Sequence, residues 1–154
     1  MEPQGQLEPQ RHKSTKNLDL EEDILPGGSL PPATEEAARQ IVDSAYRVHT
    51  ALGPGLMESV YEACMCHELS KRAISFRRQV AFPIVYDGIR LDSGLRLDLL
   101  VSEAIVVELK AVEQMLPVFE AQLISYLKLT NLRLGFLINF NVPVIKHGIK
   151  RIIV

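Results

Sequence analysis

Two acidic residues and a lysine, Asp98, Glu108 and Lys110, interrupt two apolar segments that lie close together in the chain. Residues 94–101 read Gly-Leu-Arg-Leu-Asp-Leu-Leu-Val, and residues 105–112 read Ile-Val-Val-Glu-Leu-Lys-Ala-Val. If the segments pair as neighbouring strands, the two carboxylates lie about 5 Å apart and repel each other unless a proton or a cation lies between them. The simplest chemical interpretation is a divalent metal site with a lysine beside it.

This interpretation depends on the register of the hairpin. If residues 102–104 form the turn, Val101 pairs with Ile105, and Asp98 lies opposite Glu108. One face of the hairpin is then entirely apolar and comprises Leu97, Leu99, Val101, Ile105, Val107 and Leu109. A turn of two residues would instead place the two acids on opposite faces of the sheet.

The elements that position the hairpin follow from apolar periodicity and turn signals. Helices are predicted over residues 35–52, about 56–72 and 117–130, and strands over residues 77–86, 89–101, 104–112, 132–140 and 149–154. Thr34 is the expected cap of the first helix. The helix between the third and fourth strands predicts a right-handed crossover. The predicted fold class is therefore α/β, with a mixed central sheet of about four to five strands flanked by helices.

Helical spacing also predicts which residues face the core. The expected buried positions are Ala38, Ile41, Ala45, Val48 and Leu52 on the first helix, and Leu56, Val60, Ala63 and Cys64 on the second.

Composition divides the chain at about residue 34. Residues 1–34 hold three Lys or Arg against six Asp or Glu, a net charge of −3, and are expected to form a disordered tail. Residues 35–154 hold fourteen against thirteen, a net charge of +1, and are expected to form one domain. This balance is unlike the strongly basic surface of a dedicated DNA-binding protein.

Two local basic clusters remain, and solvated faces explain such clusters more often than phosphate contacts do. They comprise Lys71, Arg72, Arg77 and Arg78, and Lys146, His147, Lys150 and Arg151.

Neither membrane insertion nor secretion is expected, because the chain shows no segment of spanning length and no apolar signal region near Met1. The two cysteines, Cys64 and Cys66, are one residue apart on a predicted helix, so their side chains diverge and do not form a bridge. A reducing, cytoplasmic environment fits this cysteine content best.

Several motifs together resemble one known family. Residues 55–61, Gly-Leu-Met-Glu-Ser-Val-Tyr, match the signature of the GxxExxY protein family, a branch of the PD-(D/E)XK nuclease-like superfamily. The resemblance continues through residues 97–101, 107–112, 120–130, 135–141 and 148–151. It covers roughly residues 38–154, and the joint match is far more specific than an isolated pair of acids with a lysine.

The resemblance implies a restriction-endonuclease-like core, in which a helix, a three-stranded meander, a crossover helix and a fourth strand follow in order. It also implies that Asp98 and Glu108 bind Mg²⁺ or Mn²⁺, with the backbone carbonyl of Leu109 as a further ligand. Lys110 would orient a water molecule or help to deprotonate it. The alternative interpretation is a salt bridge among Asp98, Glu108 and Lys110.

Three further residues acquire expected roles from the resemblance. Glu58 would add a third carboxylate to the metal site, although an acid near a helix N-terminus is also favoured by the helix dipole alone. Gln122 would position water or a phosphate, unless its amide is bonded to backbone. Tyr61 either packs in the core or touches substrate. Phe119 stands where such proteins often have a more polar residue, such as histidine.

These observations favour a metal-dependent nuclease that hydrolyses phosphodiester bonds of DNA or RNA, with one or two Mg²⁺ or Mn²⁺ ions. The alternatives are a nucleic-acid-binding or protein-interaction module that retains the fold without turnover, and a metal-binding structural or regulatory subunit of a larger complex. A homodimer or a partner protein is also compatible with so short a chain.

Overall fold

The structure, a computed structural model, describes residues 28–154, apart from the side chain of Ser93. Most of the predicted tail, residues 1–27, therefore lies outside the described residues. The elements are α1 (Pro32–Leu52), α2 (Glu58–Lys71), β1 (Phe76–Tyr86), β2 (Ile89–Val101), β3 (Ile105–Lys110), α3 (Pro117–Thr130), β4 (Leu134–Asn139), a 3₁₀ turn (Ile145–Gly148) and β5 (Ile149–Ile153). None of the helices in residues 28–154 is long and apolar enough to cross a membrane.

The five strands form one sheet in the order β1-β2-β3-β4-β5. The first three strands are an antiparallel meander, β4 runs parallel to β3, and β5 is an antiparallel edge strand. A parallel pair needs a crossover connection, and α3 supplies it. The predicted α/β class with a mixed sheet is therefore confirmed, and the order of elements is that of a restriction-endonuclease-like core.

The predicted register of the β2–β3 hairpin is also confirmed. Leu99 pairs with Val107, and Val101 pairs with Ile105. The turn is closed by the Ala104 N–H, which donates to the Val101 carbonyl at 3.0 Å. The apolar face of the hairpin is buried throughout, and a shift of one residue would move the three apolar side chains of one strand to the face that carries the acids.

The start of the first helix differs from the prediction. Helix α1 begins at Pro32, so Thr34 lies inside the first turn and does not cap it. Proline is well suited to a first helical position because its missing N–H has no partner there in any case. At the other end the helix stops as expected, where Gly53 adopts a φ of +69°. Leu52 is 40% exposed, so the prediction that it belongs to the core is wrong.

The predicted core face of the second helix is wrong. Leu56 and Val60 are exposed, and the large side chains buried on α2 are Tyr61, Met65 and Leu69. The apolar residues did not mark this face because α2 buries two acids, Glu62 and Glu68, beside them. A buried acid is tolerated only where cations or hydrogen-bond donors reach it, and a pattern of hydrophobicity cannot reveal such partners.

Tyr61 has a structural role in the loop before α2. Helix α2 begins at Glu58, so Gly55 lies outside it, with a φ of +98°. The Tyr61 hydroxyl donates to the Gly53 carbonyl at 2.6 Å and accepts from the Leu56 N–H at 3.1 Å. Its ring stacks on Phe140 with centroids 4.5 Å apart. Tyr61 therefore fixes the loop that leads into α2, on which Glu58 is the first residue.

Candidate functional site

The two acids lie just beyond the Leu99–Val107 pair, which is the last backbone pair between β2 and β3. Beyond the Leu99–Val107 pair, the Asp98 N–H donates to Glu108 Oε2 at 3.0 Å. The Leu109 N–H donates in turn to Asp98 Oδ2 at 2.9 Å. Each carboxylate thus accepts a backbone hydrogen bond from the opposite strand. This exchange holds the two acids beside each other on the sheet.

Burial makes a negative charge at Glu108 costly. The side chain is buried, and burial together with the Asp98 charge raises the pKa of Glu108 to about 8. The pKa of Asp98 is also raised by burial, while the Leu109 N–H and Lys110 act to lower it. At neutral pH the metal-free site therefore keeps a proton on Glu108. A cation between the acids would remove the need for this proton.

This proton predicts how the stability of the metal-free protein depends on pH. The folded state retains a proton on Glu108 up to about pH 8, whereas the unfolded chain releases it at its ordinary pKa of 4.5. Because the folded state binds more protons in this window, the free energy of unfolding falls as pH rises. From pH 5.5 to 7.5 we expect Glu108 to lower it by about 2 to 3 kcal/mol.

The measurement is urea unfolding in EDTA at pH 5.5, 6.5 and 7.5, with Glu108→Gln as the matched control. Glutamine resembles the protonated acid and does not titrate, so the variant should already be more stable than the wild type at pH 5.5, by about 1 kcal/mol, and by a larger margin at pH 7.5. Equal pH slopes for the two proteins would contradict a raised pKa at Glu108.

Lys110 lies beside the acids, but in the described part of the chain it forms no salt bridge with either of them. Its Nζ lies over the Phe119 ring, 4.5 Å from the centroid, where the negative face of the ring attracts the ammonium group. From this position the lysine still acts to lower the pKa values of Asp98 and Glu108. The salt-bridge interpretation is therefore disfavoured, and Phe119 contacts the candidate catalytic lysine.

The backbone carbonyl of Leu109 points toward the same region. In an extended strand the N–H and C=O of one residue face the same neighbouring strand. The Leu109 N–H reaches Asp98 on β2, whereas the Lys110 carbonyl accepts from Phe140 on the opposite side at 2.9 Å. The Leu109 carbonyl is thus directed toward the side of the strand on which Asp98 lies.

Glu58, the third predicted carboxylate, is more exposed than Asp98 and Glu108. Glu58 is exposed at the start of α2, and its pKa is raised by partial burial and by the charge of Asp98. Within residues 28–154, no three His, Cys, Asp or Glu side chains are arranged to hold a metal ion together. Two carboxylates and a carbonyl nevertheless fit Mg²⁺, which takes one or two protein carboxylates and keeps several waters.

Gln122 lies on α3 and faces Tyr126, as their spacing predicts. Its Nε2 donates to the Tyr126 hydroxyl at 2.9 Å, so the amide is bonded to a side chain and not to backbone. The pKa of Tyr126 is raised by burial and by the Glu108 charge. A cavity of about 430 Å³ is lined by Lys110, Val118, Phe119, Ala121, Gln122 and Ser125. The candidate catalytic lysine and the glutamine therefore line the same cavity.

Two polar residues near Asp98 were not predicted from the sequence. Glu62 is buried on α2 and accepts from the Gln79 amide at 2.7 Å and from Arg78 Nη2 at 2.8 Å. The only sequence signal for Glu62 was its position one helical turn after Glu58. Gln79 carried no signal, because nothing in its neighbourhood predicts contact with a helix.

The basic cluster at residues 71–78 is largely neutralised by acids. Arg77 forms two hydrogen bonds of 2.8 Å with Glu103, and the other three basic residues pair with Glu62 or Glu68. These pairs favour the interpretation of a solvated face over that of a phosphate-binding patch.

One of the comparisons with known proteins gave a match. Residues 35–152 match the family described as the PD-(D/E)XK nuclease superfamily. Comparisons with curated proteins and with solved structures gave no significant match.

Proposed function

Because this chain belongs to the PD-(D/E)XK nuclease superfamily, we propose that it is a metal-dependent nuclease that hydrolyses phosphodiester bonds of nucleic acid. Membership by itself supports a nuclease-type function, and members of the superfamily generally use divalent metals. The metal, the nucleic-acid substrate and the site residues are our proposal, as is the GxxExxY branch indicated by residues 55–61.

One observation carries the proposal. Asp98 and Glu108 accept each other's strand N–H groups, at 3.0 and 2.9 Å, and Glu108 is buried with a pKa of about 8. A sheet that served only as a scaffold would gain stability from apolar residues at these positions, because a buried, repelling pair of acids is costly. Perturbed carboxyl groups beside a lysine and a cavity are typical of a catalytic site.

In this proposal Asp98, Glu108 and the Leu109 carbonyl hold Mg²⁺ or Mn²⁺, and Glu58 adds a more distant carboxylate. The bound ion would polarise a phosphoryl oxygen and lower the pKa of a water molecule.

The other side chains position the reactants. Lys110 orients the attacking water and stabilises negative charge that develops on the phosphate. Phe119 limits the movement of Lys110 by contact with its ammonium group. Gln122, fixed by Tyr126 at 2.9 Å, presents its amide to water or phosphate in the adjoining cavity.

The experiment is a cleavage assay on single- and double-stranded DNA and RNA, each with Mg²⁺, Mn²⁺ or EDTA. We expect at least one substrate to be cut with metal and none with EDTA. Glu108→Gln, purified in parallel, controls for contaminating nucleases and should be inactive. Binding without cleavage in either metal would instead support the non-catalytic module.

Arg96 is a better candidate for phosphate binding than the paired cluster. It is exposed and precedes Asp98 by two residues, so the two side chains share a face of β2. Its Nη1 donates to the Gln79 carbonyl at 3.0 Å, which leaves the other guanidinium donors for a ligand.

Replacing Arg96 with glutamine should therefore weaken binding to nucleic acid. The slope of log affinity against log salt concentration should also become shallower by about one. Fluorescence anisotropy in EDTA measures both quantities without cleavage. Arg77→Gln is the matched control, because the Arg77 guanidinium is bonded to Glu103. Equal losses in the two variants would show that Arg96 has no special contact.

A further inference from the structure

Gln79 has an unusual backbone conformation in the middle of β1. Its φ is +50°, in the left-handed region that residues with long side chains rarely adopt. A non-glycine residue persists in that region only when the surrounding structure fixes it, and such residues cluster at functional sites. The reason for the strain should therefore lie in what the Gln79 side chain contacts.

The strand register places Gln79 directly across from Asp98. On β1 and β2, Arg78 pairs with Leu99 and Val80 pairs with Leu97. The residues between these pairs are Gln79 and Asp98, so Gln79 lies opposite Asp98 at a position where its left-handed backbone interrupts the ladder. Consistent with this position, the Gln79 side chain acts to lower the pKa of Asp98.

The same amide also reaches helix α2. Gln79 Nε2 donates to Glu62 Oε1 at 2.7 Å, and the Glu62 side chain is only 7% exposed. The other oxygen of Glu62 accepts from Arg78 Nε at 3.1 Å and from Nη2 at 2.8 Å. Glu62 is thereby held in place from two sides, and one of its partners is the residue opposite Asp98.

A neutral donor suits this position better than a charged group. Glu62 acts to raise the pKa of Asp98, so the two acids are close enough to repel each other. An amide carries two N–H donors and can serve both carboxylates without adding charge. A lysine here would compete with a bound cation, whereas an acid would add to the repulsion.

We propose that Gln79 is a positioning residue, which uses its contact with Glu62 to hold the Asp98 carboxylate in the orientation that binds the divalent cation. This inference rests on the metal site of the proposed function and extends it to a residue on a third strand. Partners that orient a metal ligand commonly contribute about 10- to 100-fold to metal affinity.

Two variants of the full chain test the proposal by Mn²⁺ calorimetry on metal-free protein. Gln79→Gly relieves the backbone strain but removes the hydrogen bond to Glu62, so the two effects oppose each other and its melting temperature should change little. Gln79→Met keeps the length of the side chain but lacks the amide. We expect both variants to bind Mn²⁺ at least about tenfold more weakly than the wild type.

Asp87→Gly is the matched control for the backbone effect. Asp87 has a φ of +53° in the exposed turn between β1 and β2, so glycine relieves the same type of strain away from the site. This variant should keep wild-type Mn²⁺ affinity. A structural role alone would lower the melting temperature of Gln79→Gly without changing Mn²⁺ affinity.

The outcomes separate this inference from the proposed function. Wild-type Mn²⁺ binding that is lost in Asp98→Asn but retained in Gln79→Met overturns the role of Gln79 alone. A wild type that binds no Mn²⁺ overturns the metal site and the inference together. If Gln79→Gly fails to fold, Gln79→Met decides the question.

Discussion

Replacing Lys110 with alanine should lower the rate of nucleic-acid cleavage by about two to four powers of ten. The substitution removes the cation beside the proposed water but leaves both carboxylates and the Leu109 carbonyl in place. Metal affinity should therefore change little. Single-turnover cleavage of a labelled substrate measures the chemical step, and calorimetry with Mn²⁺ measures binding separately.

Lys128→Ala is a suitable control for this variant. Lys128 is exposed on α3, in the last turn of the helix, and is not expected to touch the site. It should cleave as the wild type does. If Lys110→Ala cleaves as fast as Lys128→Ala, Lys110 has no role in the chemistry. If Lys110→Ala loses Mn²⁺ binding as well, the lysine acts on the metal site and not on the water.

The hairpin that carries the acids could be predicted from the sequence because its two constraints agree. Six apolar residues alternate with the charged ones, and only a three-residue turn places all six on one face. The structure has this turn, with positive φ values at Ser102 and Glu103. The proximity of Asp98 to Glu108 follows from the register alone and requires no knowledge of the rest of the fold.

The contacts that adjust the site could not be predicted, because they join distant segments through side chains. Glu62 is separated from Gln79 by 17 positions, and no local pattern links a helix acid to a strand amide. The left-handed backbone at Gln79 is equally hidden, since glutamine has no turn preference that would reveal it. The contact of Phe119 with Lys110 also depends on how α3 packs on the sheet.

The helix ends show the same division between local and tertiary causes. Gly53 ends α1 through its own conformational freedom, and its positive φ is a property of the residue. The buried face of α2 depends instead on Arg78 and Gln79, which satisfy Glu62 from a neighbouring strand. Because buried acids lie among the apolar residues on this face of α2, the pattern of hydrophobicity did not identify it.

Replacing Asp98 with asparagine should weaken Mn²⁺ binding by at least about 100-fold, because it removes a charged ligand and not merely a residue that orients one. At an Mn²⁺ concentration of about 100 times the wild-type Kd, the ion should stabilise the wild type by about 2.7 kcal/mol and the variant by only about 0.4 kcal/mol. Without metal, the variant should be more stable than the wild type, because a partly buried negative charge is removed and the pKa of Glu108 is no longer raised by Asp98. Asparagine can still accept the hydrogen bond from the Leu109 N–H, so the strand pairing should persist.

Asp92→Asn makes the same chemical change on the same strand, away from the site. Asp92 is 81% exposed in its side chain and pairs with Arg90 at 2.7 Å. This control should match the wild type in Mn²⁺ affinity, in metal-free stability and in the stabilisation by Mn²⁺, all of which thermal unfolding and calorimetry measure. Equal Mn²⁺ affinity in Asp98→Asn and Asp92→Asn would remove Asp98 from the ligand set. Lower metal-free stability in Asp98→Asn would show instead that its carboxylate stabilises the hairpin more than it repels Glu108.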